Sequence, residues 1–441
     1  MSPTVPDIAH LLIALGLLLV AAHAVGHLFA LLRQPRVIGE LVGGLLLGPT
    51  LLGTLAPGTE AWLFPATGTV PTVVGWFSQM GLLLLMFCSG VEMRSIFARD
   101  ERRLVAWVTV TGLAIPFAAG LAAFRLADAN ALIGSAHSRP ALLLVFALAI
   151  AVTSIPVISR IMFDLGIIDT RFARIVLGVA VLEDVVVYVV LAIALGLAAA
   201  SDGDSFGLPA LLGLSEASPA SMALHTVVTL AFFVAMLTIG TSTYAWSRRQ
   251  GWNLLVRGNP IGYHLVFLFA GTLACVLLGI TPMFGAFLAG IAASATRDPA
   301  DVAARESIKS FSFAFFVPIY FAVVGLQLDL LRDLDLGFFA WFLLLACVVK
   351  SGSVFLGARL GGEPRTGAWS LAIATNARGG PGIVLASVTF AAGIISSSLF
   401  AALVMLAVVT SMLAGTWLAR MVRLGTLPRE QRRVFPLDRI V

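Results

Sequence analysis

The sequence predicts an all-α integral membrane protein of about thirteen transmembrane helices, and three observations predict it. Of its 441 residues 59% are hydrophobic and 12% charged, which leaves little polar surface for any soluble domain. Apolar runs recur from end to end at the length that crosses a hydrocarbon core, roughly 20 residues for about 30 Å. Lys and Arg gather in every second loop, the bias that orients membrane helices.

The first run, 8–32, opens the series; Met1 to Ala9 has neither the positive flank nor the cleavage site of a signal peptide, so a retained span is expected. Runs at 37–54, 69–91 and 104–126 follow. The fifth, 140–163, is interrupted by Thr153-Ser154-Ile155-Pro156, and the sixth, 172–200, carries Glu183 and Asp184 near its middle. After a loop from Ser201 to Pro219 that has acids but no Lys or Arg comes 220–246. The pair 260–279 and 281–296 is the least clearly divided. The last four are 311–330, 336–359 with Lys350, 367–393 interrupted at Arg378-Gly379-Gly380-Pro381-Gly382, and 397–419.

Charge tests the odd count. Arg33 and Arg36, Arg94 to Arg103, Arg160 to Arg174, Arg248 to Arg257, Arg297 to Lys309, Arg359 and Arg365, and six arginines from Arg420 onward all fall on one side. The other side has only Arg125, Arg139 and Arg332. A missed or invented helix would scramble this alternation, so the N-terminus is expected outside and the C-terminus inside. The implied organisation is a membrane domain over 1–422 and a short basic cytoplasmic tail over 423–441, multi-pass in the cell membrane. The net charge of +5 is then a matter of topology, and no nucleic-acid partner is expected. Cys88, Cys275 and Cys347 all lie in apolar runs, which argues against disulfides and a cysteine metal site.

An internal echo is visible. Ile38-Gly39-Glu40-Leu41-Val42-Gly43-Gly44-Leu45-Leu46 resembles Met283-Phe284-Gly285-Ala286-Phe287-Leu288-Ala289-Gly290-Ile291, and each precedes a span broken by Gly or Pro. Paired breaks in two halves point to a transporter built on inverted repeats, because freed backbone groups at membrane depth must face protein or a water-filled cavity. Ordinary proline kinks are the competing reading.

Ionisable side chains at span centres are costly unless paired, so Glu183, Asp184, Lys350 and Arg378 are candidate site residues. Neighbours on a helix point about 100° apart, so the two acids need not share a job. A buried carboxylate holds a proton or a metal cation but not readily both, and that competition couples two flows if the site faces one side at a time. The competing reading is that the four charges neutralise one another and fasten helices. His23 and His27, four apart, suit a ligand pair or packing histidines bonded to a neighbouring helix. Glu40 reads as a path or loop-contacting residue, and Glu92 and Asp329 as solvated span ends. There is neither a His-Glu-x-x-His motif nor a Gly-x-Ser-x-Gly elbow, so no enzyme and no cofactor is expected.

Several motifs in order resemble the monovalent cation:proton antiporters of the second class, near the plant cation/proton exchangers and the bacterial Kef-type and Nap-type antiporters. They are Gln34-Pro35-Arg36-Val37-Ile38-Gly39-Glu40 with Leu47-Gly48-Pro49, Val152-Thr153-Ser154-Ile155-Pro156-Val157 with Asp164-Leu165-Gly166, and Phe284-Gly285-Ala286-Phe287-Leu288-Ala289-Gly290. Phe315-Phe316-Val317-Pro318-Ile319-Tyr320-Phe321 with Gly325-Leu326, and Asn376-Ala377-Arg378-Gly379, complete the set. The resemblance implies a sodium/proton antiporter-like fold of thirteen spans, with a dimerisation part and a core where two broken helices cross and an elevator-like movement exposes the site alternately. It implies a homodimer in the lipid bilayer that exchanges Na+ or K+ for H+. Asp184 matches the ion-binding aspartate and metal-cation ligand. Glu183 stands where relatives have Asp, Asn or Gln, and Lys350 matches the base that pairs with the acids. Thr153, Ser154 and Pro156 match the first crossover, and Thr153, Ser154 and Glu183 are expected with Asp184 among the ion- and proton-binding residues; Arg378, expected with Lys350 to pair charge, falls with Gly379, Gly380 and Pro381 at the second.

Glu183 leaves the stoichiometry open, and Gly380-Pro381-Gly382 replaces a stretch where relatives often carry Glu. The Kef-type relatives carry a nucleotide-binding tail, and none is expected here. Two other functions remain open from sequence: sodium- or proton-coupled transport of an organic solute on the same fold, and a non-transporting membrane sensor.

Overall fold

Prolines and capping side chains set where the apolar runs begin as helices. The structure is a computed structural model that describes residues 4–32, 34–92, 101–168, 170–202, 219–250, 253–296 and 298–426. Arg33, Arg94, Arg99 and Arg297, most of the acidic loop between Ser201 and Pro219, and the tail from 427 lie outside the described residues. Thr4 and Asp7 form a capping box that starts α1, Val5–Leu31. The order continues with α2, Arg36–Leu47; α3, Thr69–Glu92; α4, Arg102–Ala123; α5, Arg139–Ala151; α6, Ile155–Asp164; and α7, Arg171–Asp202. Next, α8, Pro219–Ala235, runs on through a π-helical turn, Met236–Gly240, into Thr241–Arg249.

Like α8, the next three helices open on proline, where the missing N–H costs nothing: α9, Pro260–Leu277, α10, Pro282–Ala293, and α11, Pro299–Leu326. Then come α12, Leu336–Leu360; α13, Arg365–Ala374; α14, Gly379–Ala391; and α15, Ser397–Arg423. Among the described residues, ten helices are long and apolar enough to cross a membrane. The short α10 and the broken pairs α5/α6 and α13/α14 account for the other three predicted spans.

One boundary differs from expectation. The second span keeps to its expected range, Arg36–Leu55, although helix α2 inside it stops at Leu47, where Gly48 turns extended and Pro49 has no N–H to continue the ladder. The tenth starts at Pro299 rather than 311: Asp298 caps it by accepting from the Ala300 N–H at 2.9 Å, and its polar first turns are an extension that hydropathy does not register. A π-helical turn at Ser312–Phe316 interrupts that helix just before Pro318. His23 Nε2 donates to the Ala314 carbonyl there at 2.9 Å, so His23 is bonded to a neighbouring helix; both His23 and His27 are exposed.

The helices pack in two groups. In one, α1 packs on α2, α9 on α10, α2 on α11 and α10 on α3; in the other, α4 packs on α12, α5 on α7 and α14 on α15. The pairings of the first half recur in the second. Gly44 and Gly325 let α2 and α11 touch backbone to backbone, and Gly90 and Gly290 do the same for α3 and α10.

Contacts between loops respect the alternation of charge. Lys309 Nζ meets Glu92 Oε1 at 2.7 Å, so Glu92 is ion-paired rather than simply solvated. Arg171 bridges Glu101 and Glu363, and Arg248 meets Asp298 at 2.9 Å and Asp301 at 2.6 Å. At the opposite ends, Thr50 donates to the Leu328 carbonyl, Ile133 bridges to Ile395, and Ser397 donates to Asp333. Asp329 caps a one-turn helix by accepting from the Arg332 N–H.

Candidate functional site

Two breaks in helices meet inside the second group. Helix α5 ends at Ala151 and α6 begins at Ile155; α13 ends at Ala374 and α14 begins at Gly379. The Ser154 N–H donates to the Ala377 carbonyl at 2.7 Å, and Thr153 Oγ1 donates to the Thr375 carbonyl at 2.7 Å, so the extended linkers cross. Pro156 and Pro381 are not the points of breakage. Each falls in the first turn of the second half-helix, where proline is tolerated, and the breaks precede them. Gly379 takes a left-handed φ of +25°, and a Cβ there would run into Val157 and Ser154; Gly380 lies buried in the first turn of α14. Span α15 closes the second crossing, since Ser411 Oγ accepts from the Gly379 N–H at 3.1 Å and Thr410 Oγ1 from the Arg378 N–H at 3.4 Å.

A half-helix that ends at membrane depth exposes carbonyls and the negative end of its dipole. Arg378 and Lys350 answer that at α5. Arg378 donates through Nε to Ala149 O at 3.0 Å, through Nη2 to Ile150 O at 2.9 Å and Ala346 O at 3.1 Å, and through Nη1 to both oxygens of Asn376. All five guanidinium donors are used, none on a carboxylate. The hydrogen bonds of Arg378 thus go to backbone carbonyls and to the Asn376 side chain.

Lys350 does pair with an acid. Its Nζ lies 2.9 Å from both Glu183 oxygens, 2.6 Å from Ala151 O and 2.8 Å from Gly112 O. Three donors serve three destinations, and both partners of the pair are fully buried. Gly112 of α4 is a residue that sequence reading passed over; a Cβ there would sit 2.9 Å from Glu183 Oε1. Asn376, which accepts from Arg378 and donates to Ser351 Oγ at 2.8 Å, was quoted only as part of a motif.

Asp184 is left over. It is 1% exposed, and its Oδ1 has no hydrogen-bond partner. Neither neighbouring base has a donor to spare for it. Among the described residues only one other buried carboxylate oxygen shares that condition, Glu40 Oε2 on α2. Glu40 is 8% exposed, and its stem leans on Gly26 of α1. No group of three His, Cys, Asp or Glu that could hold a metal ion occurs among the described residues. The chemistry here is that of a buried carboxylate with one unpartnered oxygen beside freed backbone, suited to a proton or to a monovalent cation with oxygen ligands.

A family model described as sodium/hydrogen exchanger, transmembrane, matches residues 15–424. The chain belongs to that family. Within the exchanger family it is 28% identical over 405 residues to K(+)/H(+) antiporter 1 of Saccharomyces cerevisiae, covering 90% of this chain and 44% of that protein. It is also 28% identical over 418 residues to Na(+)/H(+) antiporter NhaS4 of Synechocystis, covering 92% of this chain and 94% of that protein. The chain thus spans less than half of the yeast relative and nearly all of the cyanobacterial one. The fold is like that of the sodium proton antiporter MjNhaP1 from Methanocaldococcus jannaschii, with a TM-score of 0.62 at 17% identity over 95% of this chain and all of that one. The exchanger family consists of transporters rather than enzymes, and this member is a multi-pass membrane protein.

Proposed function

We propose that the chain exchanges a monovalent cation, Na+ or K+, for H+ by competition at the Asp184 carboxylate. The observation that carries this reading is the unpartnered, buried Asp184 Oδ1 beside two helix breaks whose bases are fully engaged elsewhere. Relatives named as Na(+)/H(+) and as K(+)/H(+) antiporters support both cations. Thr153 and Ser154 hold the first crossing in place, and Glu183 serves to keep Lys350 on the end of α5. With that pair intact, Asp184 trades one proton for one cation, so exchange is electroneutral.

Thirteen spans put six on either side of α8, so equivalent spans run in opposite directions, which supports inverted repeats. Arginine placement supports the N-terminus outside and the tail inside. The resemblance supports a homodimer embedded in the bilayer and alternating access by movement of one group of helices against the other.

Proteoliposomes test the reading directly. Wild-type chain collapses an imposed pH gradient when Na+ or K+ is added, and Asp184→Asn does not; exchange retained in that variant removes the proposal. A valinomycin clamp tests the stoichiometry: the rate at fixed pH gradient stays unchanged when membrane voltage is varied.

A further inference from the structure

One turn beyond Asp184 on the same face of α7 stands Tyr188, which neither sequence motif nor charge pairing involves. Its side chain is 1% exposed, and its hydroxyl, like Asp184 Oδ1, has no hydrogen-bond partner. Long side chains on a helix lean back toward its N-terminus, which carries the Tyr188 ring over the turn that holds Asp184.

A buried hydroxyl without a partner is costly, so two orphaned oxygens on one helix face are either a defect shared by chance or a pair completed by something else. Phenylalanine would fill the same space without that cost. The surroundings favour completion. The Tyr188 ring packs edge-on against Phe287 of α10, centroids 4.7 Å apart, with Phe284 at 6.4 Å, so it lies where α7 of one helix group faces α10 of the other. Tyr320 is the contrast: its hydroxyl is bonded to Ser387 Oγ at 2.6 Å and needs nothing further.

We propose that Tyr188 is a cation ligand in the exchange site, its neutral hydroxyl oxygen sharing with Asp184 Oδ1 a partly dehydrated monovalent cation. A carboxylate supplies the charge and a hydroxyl supplies a second hard oxygen without adding charge. When a proton replaces the cation, the same hydroxyl donates to the carboxyl group. This inference rests on Asp184 being the exchange site, and the test separates the two.

Wild type, Tyr188→Phe and Tyr320→Phe are reconstituted, and exchange is measured against Na+ and K+ concentration alongside thermal unfolding with and without cation. Tyr188→Phe keeps the ring and its packing, so its unfolding temperature without cation is unchanged or higher. Its KM for cation rises about tenfold or more with kcat retained, and the cation-induced thermal shift shrinks. Tyr320→Phe lowers the unfolding temperature and leaves KM where it was. If wild type exchanges and Tyr188→Phe has an unchanged KM, or fails to fold, the hydroxyl is structural and the proposal is overturned while the Asp184 reading stands. Absence of exchange in wild type overturns both.

Discussion

Lys350 without its ammonium group would leave the Glu183 carboxylate fully buried and unpaired, the situation in which breaking an ion pair costs about 3–5 kcal/mol. Lys350→Met is therefore expected to lower the unfolding temperature sharply, as scanned in detergent. Glu183→Gln combined with Lys350→Met removes both charges and recovers most of the loss. On the proposed role of the pair as a brace, the double variant still collapses a pH gradient in a cation-dependent way; silence in a well-folded double variant would show that Lys350 takes part in the exchange itself. Gly112→Val tests the same pair from the α4 side, since the added carbons meet Glu183 Oε1 and Val354. Adjacent on the helix, Glu183 and Asp184 differ in what reaches them: Lys350 bonds both oxygens of the first, and Oδ1 of the second has no partner.

At the scale of elements, the half-helix α5 depends on a side chain from the second break. Arg378→Ala would strip the Ala149 and Ile150 carbonyls, at the end of α5, of their buried donors, about 1–3 kcal/mol for each group left unsatisfied. A large fall in unfolding temperature is expected, and Arg378→Lys recovers only part of it because an ammonium group has three donors where the guanidinium uses five. The tether between the end of α8 and the start of α11 titrates instead. The Arg248 hydrogen bond holds the Asp298 carboxyl below its ordinary value of 3.8, so the contact contributes fully above that pH and is lost as pH falls through the lower folded-state value. Acid unfolding curves of wild type and Asp298→Asn should differ above about pH 4 and converge below it. The gap is small, since the pair is open to water.

For the whole molecule, the proposed movement of one helix group against the other makes their boundary the place to arrest exchange. Gln34, between α1 and α2, stands close to Gly415 of α15, where an added Cβ would lie 3.6 Å from its Oε1. In a background with Cys88, Cys275 and Cys347 replaced, Gln34→Cys with Gly415→Cys should cross-link under a short thiol reagent and stop exchange, and reductant should restore it. Continued exchange in the fully cross-linked protein would mean that the two groups do not move apart there. The loop contacts give the same scale a static counterpart, because no ion pair among those described joins loops that the charge alternation assigns to opposite faces.

Membrane class, the thirteen segments, both breaks and the four buried charges were legible in the sequence, because each follows from local rules: span length, charge bias, proline chemistry and the penalty for charge in lipid. The start of α11 at Pro299 was not, since its polar turns carry no hydropathic signal. Nor could spacing tell that Glu183 holds Lys350, that Arg378 spends five donors on backbone, or that Gly112 floors the ion pair. Those assignments depend on which carbonyls the crossing of α5/α6 with α13/α14 leaves unsatisfied, and residues up to 238 positions apart supply the donors. Composition and order thus determined a membrane exchanger with acids at its centre; the crossing of two broken helices decided which acid remained free.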